Sequence, residues 1–343
     1  MLNEKPEEPF RTGTLTASYL QPAGASETSE LMTPHKTREG TTVPLEGSLL
    51  LVLVCFLWGA NVVSIRISNQ GIPPILAAAL RSAIAAGLIF LYAAKKGEAV
   101  SFPRGERRHG MVIGFLFALD FLFLYWGIAF TTASRSIIFL YTHPFFVAIG
   151  AHFLLRGDRL TLSKIAGLIL AFCGLLAVFA ARSNDLPSRY WIGDLMEVAA
   201  AIFWAATTLY IKKMVQSRSV SHYQTLFAQL FYSIPVLALG SFLFERSCSI
   251  DLTMPVVLAF SYQCLLVAFF SYVLWFWMIG KYSVSRLTAF TFLSPLFGVL
   301  LGSLVLSEPV NTLVWFGLGL VGAGIYIVNR PVPGKEVVER RAL

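Results

Sequence analysis

Polar and apolar residues along this chain are gathered into long blocks rather than alternated. Past a polar stretch at residues 1–46, apolar runs fall at about 48–68, 73–95, 109–130, 133–155, 161–181, 191–212, 221–244, 254–280, 284–306 and 311–329. Each comes close to the ~20 apolar residues a helix needs to cross a bilayer core, or exceeds it. None shows the short alternation of a barrel strand. In lipid only helices and closed barrels satisfy every backbone N–H and C=O. The pattern therefore predicts an all-α polytopic membrane protein with ten transmembrane helices. Short links between the blocks make successive spans antiparallel neighbours.

Composition agrees: 56% of residues are hydrophobic and only 13% are charged, where a soluble domain carries about 25%. Residues 1–46 mix charges with Pro, Gly, Ser and Thr and read as a disordered cytoplasmic tail rather than a signal peptide. Residues 331–343 read as a C-terminal cytoplasmic tail. Lys and Arg set the orientation. With the N-terminus inside, seventeen fall on the inner side and five on the outer: Arg66, Arg135, Arg182, Arg189 and Arg246. Both termini are thus expected in the cytoplasm, with the chain in the cell (inner) membrane. The net charge of +8 follows from this topology and calls for no nucleic-acid partner. Cys55, Cys173, Cys248 and Cys264 lack paired spacing and suggest packing, with no disulfide framework, metal site or cofactor.

The two halves of the chain read alike. "FLWGANVVSIRI" (56–67) matches "IFWAATTLYIKK" (202–213), aligning Trp58 with Trp204. "LYWGIAFTTASRSIIFLYTHPFF" (124–146) matches "WFWMIGKYSVSRLTAFTFLSPLF" (275–297). That pairs Trp126 with Trp277, Ser134-Arg135 with Ser285-Arg286, and Pro144 with Pro295. After a one-residue gap Asp158 meets Glu308, Gly167 meets Gly317, and Gly174 meets Gly324. Five spans is an odd number, so the second copy enters the membrane from the opposite side. Inverted repeats of this kind build secondary transporters, with a site near the midplane between the halves and alternating access by rocking.

Three stretches carry a family resemblance: "LWG" in the first span, "LR" (Leu80-Arg81) in the second, and "SPLFGVLLGSLVLSEPV" in the ninth. In order and spacing they resemble the EamA family of the drug/metabolite transporter superfamily, over about residues 48–330. The resemblance implies two five-helix repeats, at 47–182 and 190–330, and movement of a small metabolite, often outward. Its members handle amino acids, nucleobases, drugs and sugars, so it fixes no substrate. Asp158 departs from the Glu often found at that place in the first repeat.

Several residues stand out against the apolar spans. Pro144 and Pro295 each free a carbonyl one turn earlier, giving matched kinks read either as hinges on a central cavity or as packing. His143 has no histidine counterpart, since its match is Ser294; it is a candidate for substrate or proton binding, or for a bond to a neighbouring helix. Arg81 and Asp120 lie in adjacent spans, as a structural ion pair or with Asp120 as acceptor of a proton or substrate cation. Asp194 suits a helix N-terminus, and the deeper Glu197 is a candidate cavity carboxylate for proton coupling. Trp58, Tyr125, Tyr141, Trp204, Tyr272 and Trp277 are the aromatic candidates for a substrate wall, with Trp126, Tyr210 and Trp275 further options; interfacial anchoring is the competing role. Arg135 and Arg286 suit either gates or headgroup anchors. Gly167, Gly174, Gly317, Gly319, Gly322 and Gly324 make small faces for peripheral packing, or for a homodimer contact.

A secondary transporter for an amino acid, nucleoside or amphiphilic drug-like compound is the reading these features favour. The alternative, an intramembrane enzyme acting on a lipid or lipid-linked substrate, calls for a clustered acid/base or metal motif. The sequence offers no HExxH, no paired histidines and no Gly-rich phosphate loop.

Overall fold

The computed structural model describes residues 43–179, 188–218, 220–245, 250–306 and 312–330. Glu308, Arg182, Arg246, Cys248 and both tails apart from residues 43–46 lie outside them. Among the described residues there is no strand. Among the described residues nine helical segments are long and apolar enough to cross a bilayer, and a 17-residue apolar helix adds a tenth.

The first half holds α1 (Leu45–Ser68), α2 (Pro74–Lys95), α3 (Arg107–Phe130), the broken pair α4 (Ala133–Leu140) and α5 (His143–Leu154), and α6 (Leu162–Phe179). The second holds α7 (Tyr190–Ser217), α8 (His222–Phe244) and one span in three parts: α9 (Met254–Tyr262), a π-helical stretch Gln263–Ser271, and α10 (Tyr272–Lys281). It continues through the broken pair α11 (Val284–Phe290) and α12 (Leu293–Leu306) to α13 (Leu313–Asn329). The face at which α1 begins is called the near face below, and the opposite one the far face.

Local chemistry sets the helix ends. Helix α2 ends where Gly97 takes φ 73°, a conformation glycine adopts without strain. Helix α8 opens with a capping box between Ser221 and Gln224. At the start of α2, behind Pro73, the Glu245 carboxylate accepts from the backbone N–H groups of Ile75 and Leu76 at 2.7 and 2.9 Å.

The sequence predicts single kinked helices at the matched prolines; the structure has full breaks there. Pro144 is the second residue of α5 and Pro295 the third of α12. In the first turn of a helix a missing N–H costs nothing, so each proline starts a new helix rather than bending an old one. At both breaks a threonine hydroxyl takes up a carbonyl three residues back: Thr142 to Phe139 and Thr291 to Thr288, each at 2.6 Å. Non-helical backbone is tolerated at this depth because Tyr141 and Thr291 are enclosed by protein.

The helices pack in a pattern that exchanges the halves. Helix α7, the first of the second half, packs against α3, α4 and α5. Helix α1, the first of the first half, packs against α9 and α12. Around them form two bundles, α3–α5 with α7 and α9–α12 with α1, which α2 with α8 and α6 with α13 tie together. Gly59 brings α1 onto α12, where a methyl in its place would stand 2.5 Å from Phe297 Cβ and 2.8 Å from the Ser294 carbonyl.

Helices α6 and α13 pack tightly on each other through Gly167, Gly174, Gly317 and Gly324, which is the peripheral packing read from the sequence. A methyl at Gly167 would lie 2.6 Å from the Gly324 carbonyl oxygen, and one at Gly174 would lie 2.6 Å from that of Gly317. The sequence matches Gly167 to Gly317 and Gly174 to Gly324, and the contacts cross those matches, as a two-fold relation between inverted copies requires. Gly319 and Gly322 lie off this contact, with nothing within 4 Å of an added methyl. Elsewhere large apolar side chains such as Phe153, Leu162 and Leu304 stand about four-fifths exposed, as lipid-facing residues do.

Candidate functional site

A cavity of about 840 Å³ lies between the two bundles. Its wall draws on α1 from Trp58 to Asn69, on α3 from Phe117 to Ile128, and on α7 from Trp204 to Ile211. Arg66, Asn69 and Ile128 on its rim are exposed and stand at the ends of α1 and α3, so the cavity opens toward the far face.

Aromatic rings make up its centre. Trp58 and Trp204, matched in the repeat, meet with ring centroids 6.3 Å apart. Trp58 also packs on Trp275 at 5.0 Å and Tyr272 at 6.3 Å, and its indole N–H donates to Ser271 Oγ at 2.9 Å. Ser271 Oγ in turn donates to the Val267 carbonyl at 2.6 Å, which the π-helical winding leaves within reach. The same stretch turns Gln263 to Ser68 Oγ and the Ser64 carbonyl, tying span eight to α1. Wide π winding leaves no hydrophobic period in the sequence, so the apolar pattern gave no sign of it.

Of the residues singled out in the sequence, Trp58, Tyr125, Tyr141, Trp204, Tyr272, Pro295, Arg81 and Asp120 line the cavity. His143 does not. It is fully buried one layer behind, stacked on Trp204 with centroids 3.6 Å apart and planes at 14°. Its Nε2 lies 3.5 Å from the Thr291 hydroxyl. Pro144 and Ser294 are buried in the same layer, Ser294 beside Cys55 and Tyr141. Trp277 lies away from the cavity, under the Lys281 ammonium at 4.4 Å, while Trp275 faces inward. Two residues along a helix point about 200° apart, so only one of these tryptophans can face the cavity. Trp126 packs on Phe244 at 4.5 Å, likewise off the wall.

The polar candidates also fall differently from expectation. Arg81 and Asp120 do not pair: among the described residues the ion pairs are Arg135–Asp194, Lys164–Asp158 and Arg218–Glu106. The Arg81 guanidinium instead lies over the Phe121 ring, 4.8 Å from its centre. Glu197 is fully buried behind the wall, in a slot that Gly127 leaves open: a methyl there would stand 2.6 Å from Glu197 Oε1. Both its oxygens lack a hydrogen-bond partner, and the Ser136 hydroxyl on the cavity wall is its polar neighbour. Asp194 accepts from Thr131 Oγ1 at 2.8 Å and binds Arg135 through two guanidinium nitrogens at 3.1 and 2.5 Å. Arg135 is thereby committed to a protein partner near the far face. Among the described cysteines, Cys55 and Cys264 are buried and Cys173 is exposed.

The near face is closed by polar groups that cross between the bundles. Asp158, in the link after α5, accepts from Lys164 Nζ at 2.6 Å, from the Ser285 hydroxyl, and from the Ser285 backbone N–H at 3.1 Å. Burial pushes the Asp158 carboxyl up, but the Lys164 ammonium and the Ser285 donors outweigh it and hold the group below its ordinary value. Lys212 of α7 adds a second tie, donating to the carbonyls of Ile279 and Tyr282 at 2.9 and 3.0 Å at the end of α10. Among the described residues no three His, Cys, Asp or Glu side chains gather to hold a metal ion.

Two inverted five-helix halves enclosing a cavity between exchanged bundles define a multi-pass membrane carrier. The chain belongs to the EamA-like transporter family, whose profile matches residues 45–180 and 191–330. It is 29% identical to the uncharacterized transporter YetK of Bacillus subtilis, over 85% of this chain and 87% of that one. It is 28% identical to a probable amino-acid metabolite efflux pump of Salmonella typhimurium, over 81% of this chain and 93% of that one. The fold is similar to that of a protein crystal structure with TM-score 0.70 and 19% identity, over 82% of this chain and 97% of that one. Family and relatives indicate a transporter rather than an enzyme.

Proposed function

We propose that the protein is a secondary transporter that carries a small metabolite outward across the cytoplasmic membrane by alternating access. Both termini face the cytoplasm, the repeats run over 47–182 and 190–330, and residues 1–46 and 331–343 are cytoplasmic tails. The observation that carries the reading is the cavity itself. It lies between exchanged bundles, opens toward the far face, and is sealed at the near face by Asp158, Lys164, Ser285 and Lys212. On the orientation from Lys and Arg, this is an outward-open state. Loosening those ties while the bundles close at the far face would expose the cavity to the cytoplasm.

Trp58, Tyr125, Tyr141, Trp204 and Tyr272 supply the stacking wall. The breaks at Pro144 and Pro295 act as hinges, since each joins two helices of one span end to end. Glu197 exchanges the proton that drives transport: it is a carboxylate buried directly behind the wall, with Ser136 beside it and no ion-pair partner among the described residues. The efflux name of the Salmonella relative supports the outward direction and an amino-acid-like cargo.

Counterflow in proteoliposomes, with recovered compounds identified by mass spectrometry, tests the reading. Accumulation of an unmodified compound is expected. Chemical conversion of the compound would point to an intramembrane enzyme and overturn it.

A further inference from the structure

We propose that Arg81 and Asp120 form a two-charge receptor, so that the cavity selects a small zwitterion carrying an apolar or planar group. The inference rests on reading the cavity as the substrate site, and it names the chemistry of the cargo.

Arg81 is only 2% exposed, lines the cavity, and leaves its Nε without a hydrogen-bond partner. Its guanidinium is steadied over Phe121 rather than by an acid. Asp120 is 6% exposed, lines the same cavity, and forms no ion pair among the described residues. Opposite charges withdrawn from water ordinarily satisfy each other. Here each keeps capacity toward the cavity, so the missing partners come from what enters it.

The chemistry of each group fixes its complement. A guanidinium presents a rigid fork that suits a planar carboxylate, and a carboxylate suits an ammonium. With Asp120 ionised against a ligand ammonium, the receptor is neutral as a whole. A singly charged ligand leaves one protein charge unmatched, and an uncharged one leaves both, so discrimination comes from the unsatisfied group as much as from the bound one. Tyr125 and Tyr272 line the same cavity, and Trp58 and Trp204 offer ring faces to the rest of the molecule.

The test uses the full-length protein and three matched sets of probes: leucine, methionine and phenylalanine, with the amine and the carboxylic acid derived from each. Binding is read by thermal shift and transport by counterflow. At least one zwitterion is expected to bind on the order of tenfold to a hundredfold better than both singly charged counterparts, the loss expected for one charge-assisted hydrogen bond. Arg81→Gln should erase the preference over the amine, and Asp120→Asn the preference over the acid. The double variant Arg81→Gln/Asp120→Asn removes both receptor charges, and should bind each zwitterion no better than its amine or its acid.

Equal binding of zwitterion and singly charged analogue, or no binding by any zwitterion in the set, overturns the receptor. Counterflow without charge preference would do so while leaving the transport reading intact. Zwitterion binding with no counterflow would support the receptor and sink the transport reading.

Discussion

The imidazole of His143 lies flat on the indole of Trp204, with ring centroids 3.6 Å apart. The histidine comes from the break between α4 and α5, and the tryptophan from the first helix of the other half. His143 thus reaches the cavity through Trp204 and Tyr141, whose ring it meets at 5.9 Å, and the stack suits it to support the Trp204 ring. His143→Phe keeps a flat ring and should retain substrate affinity and an unchanged pH profile. His143→Ala removes the support and should weaken binding about twofold to tenfold, in line with ~0.5–1.5 kcal/mol for an aromatic pair. Affinity and pH–flux curves for both variants check this. A pH profile altered in His143→Phe would mean that the imidazole handles protons itself.

Asp158 makes stability depend on acid in a defined direction. Its carboxyl is held below the unfolded value of about 3.9 by Lys164 and Ser285. The stabilisation is therefore complete above that value and is lost as pH falls through the lower, folded pKa. Thermal melts from neutral to strongly acidic pH should show this loss in the native protein. In Asp158→Asn that component should vanish, with about 3 kcal/mol already lost at neutral pH, because Lys164 is left buried without its anion.

Glu197→Gln preserves size and shape in the slot beside Gly127 and removes the titratable group. Counterflow exchange, which needs no net driving force, should persist. Uptake driven by an imposed pH gradient should disappear. Gradient-driven uptake at native rates in this variant would exclude Glu197 as the proton carrier.

The contact between α6 and α13 makes a contrast between neighbouring glycines. Gly174→Val places new carbons against the Gly317 backbone, where a methyl is already 2.6 Å from the carbonyl oxygen. The helices must separate, which should cost about 1–3 kcal/mol in a detergent melt. Gly322→Ala meets nothing within 4 Å and should leave the melt unchanged to within ~0.5 kcal/mol. Equal damage from both would argue against this packing.

Much of this arrangement was legible in the order of residues. Spans emerge from apolar length, because lipid forbids unpaired backbone, and the inversion follows from an odd number of spans per repeat. The match of Trp58 to Trp204 marked two residues that meet in space. Other features needed three dimensions. No sequence rule separates Trp275 from Trp277, because only the rotation of α10 against its neighbours decides which faces inward.

The chain by itself determined the number of spans, their alternating direction, and the two-fold relation of its halves, since these follow from hydrophobic length, Lys and Arg placement, and repetition. Tertiary structure decided which polar residues find one another. Arg81 and Asp120 are adjacent in span order and line one cavity yet form no ion pair, whereas Asp158 and Ser285, 127 residues apart, close the near face together. The physical reason is that a charge in a membrane protein is satisfied by whatever donor, acceptor or cavity lies beside it after packing, and packing is set by the exchange of α1 and α7 between the halves.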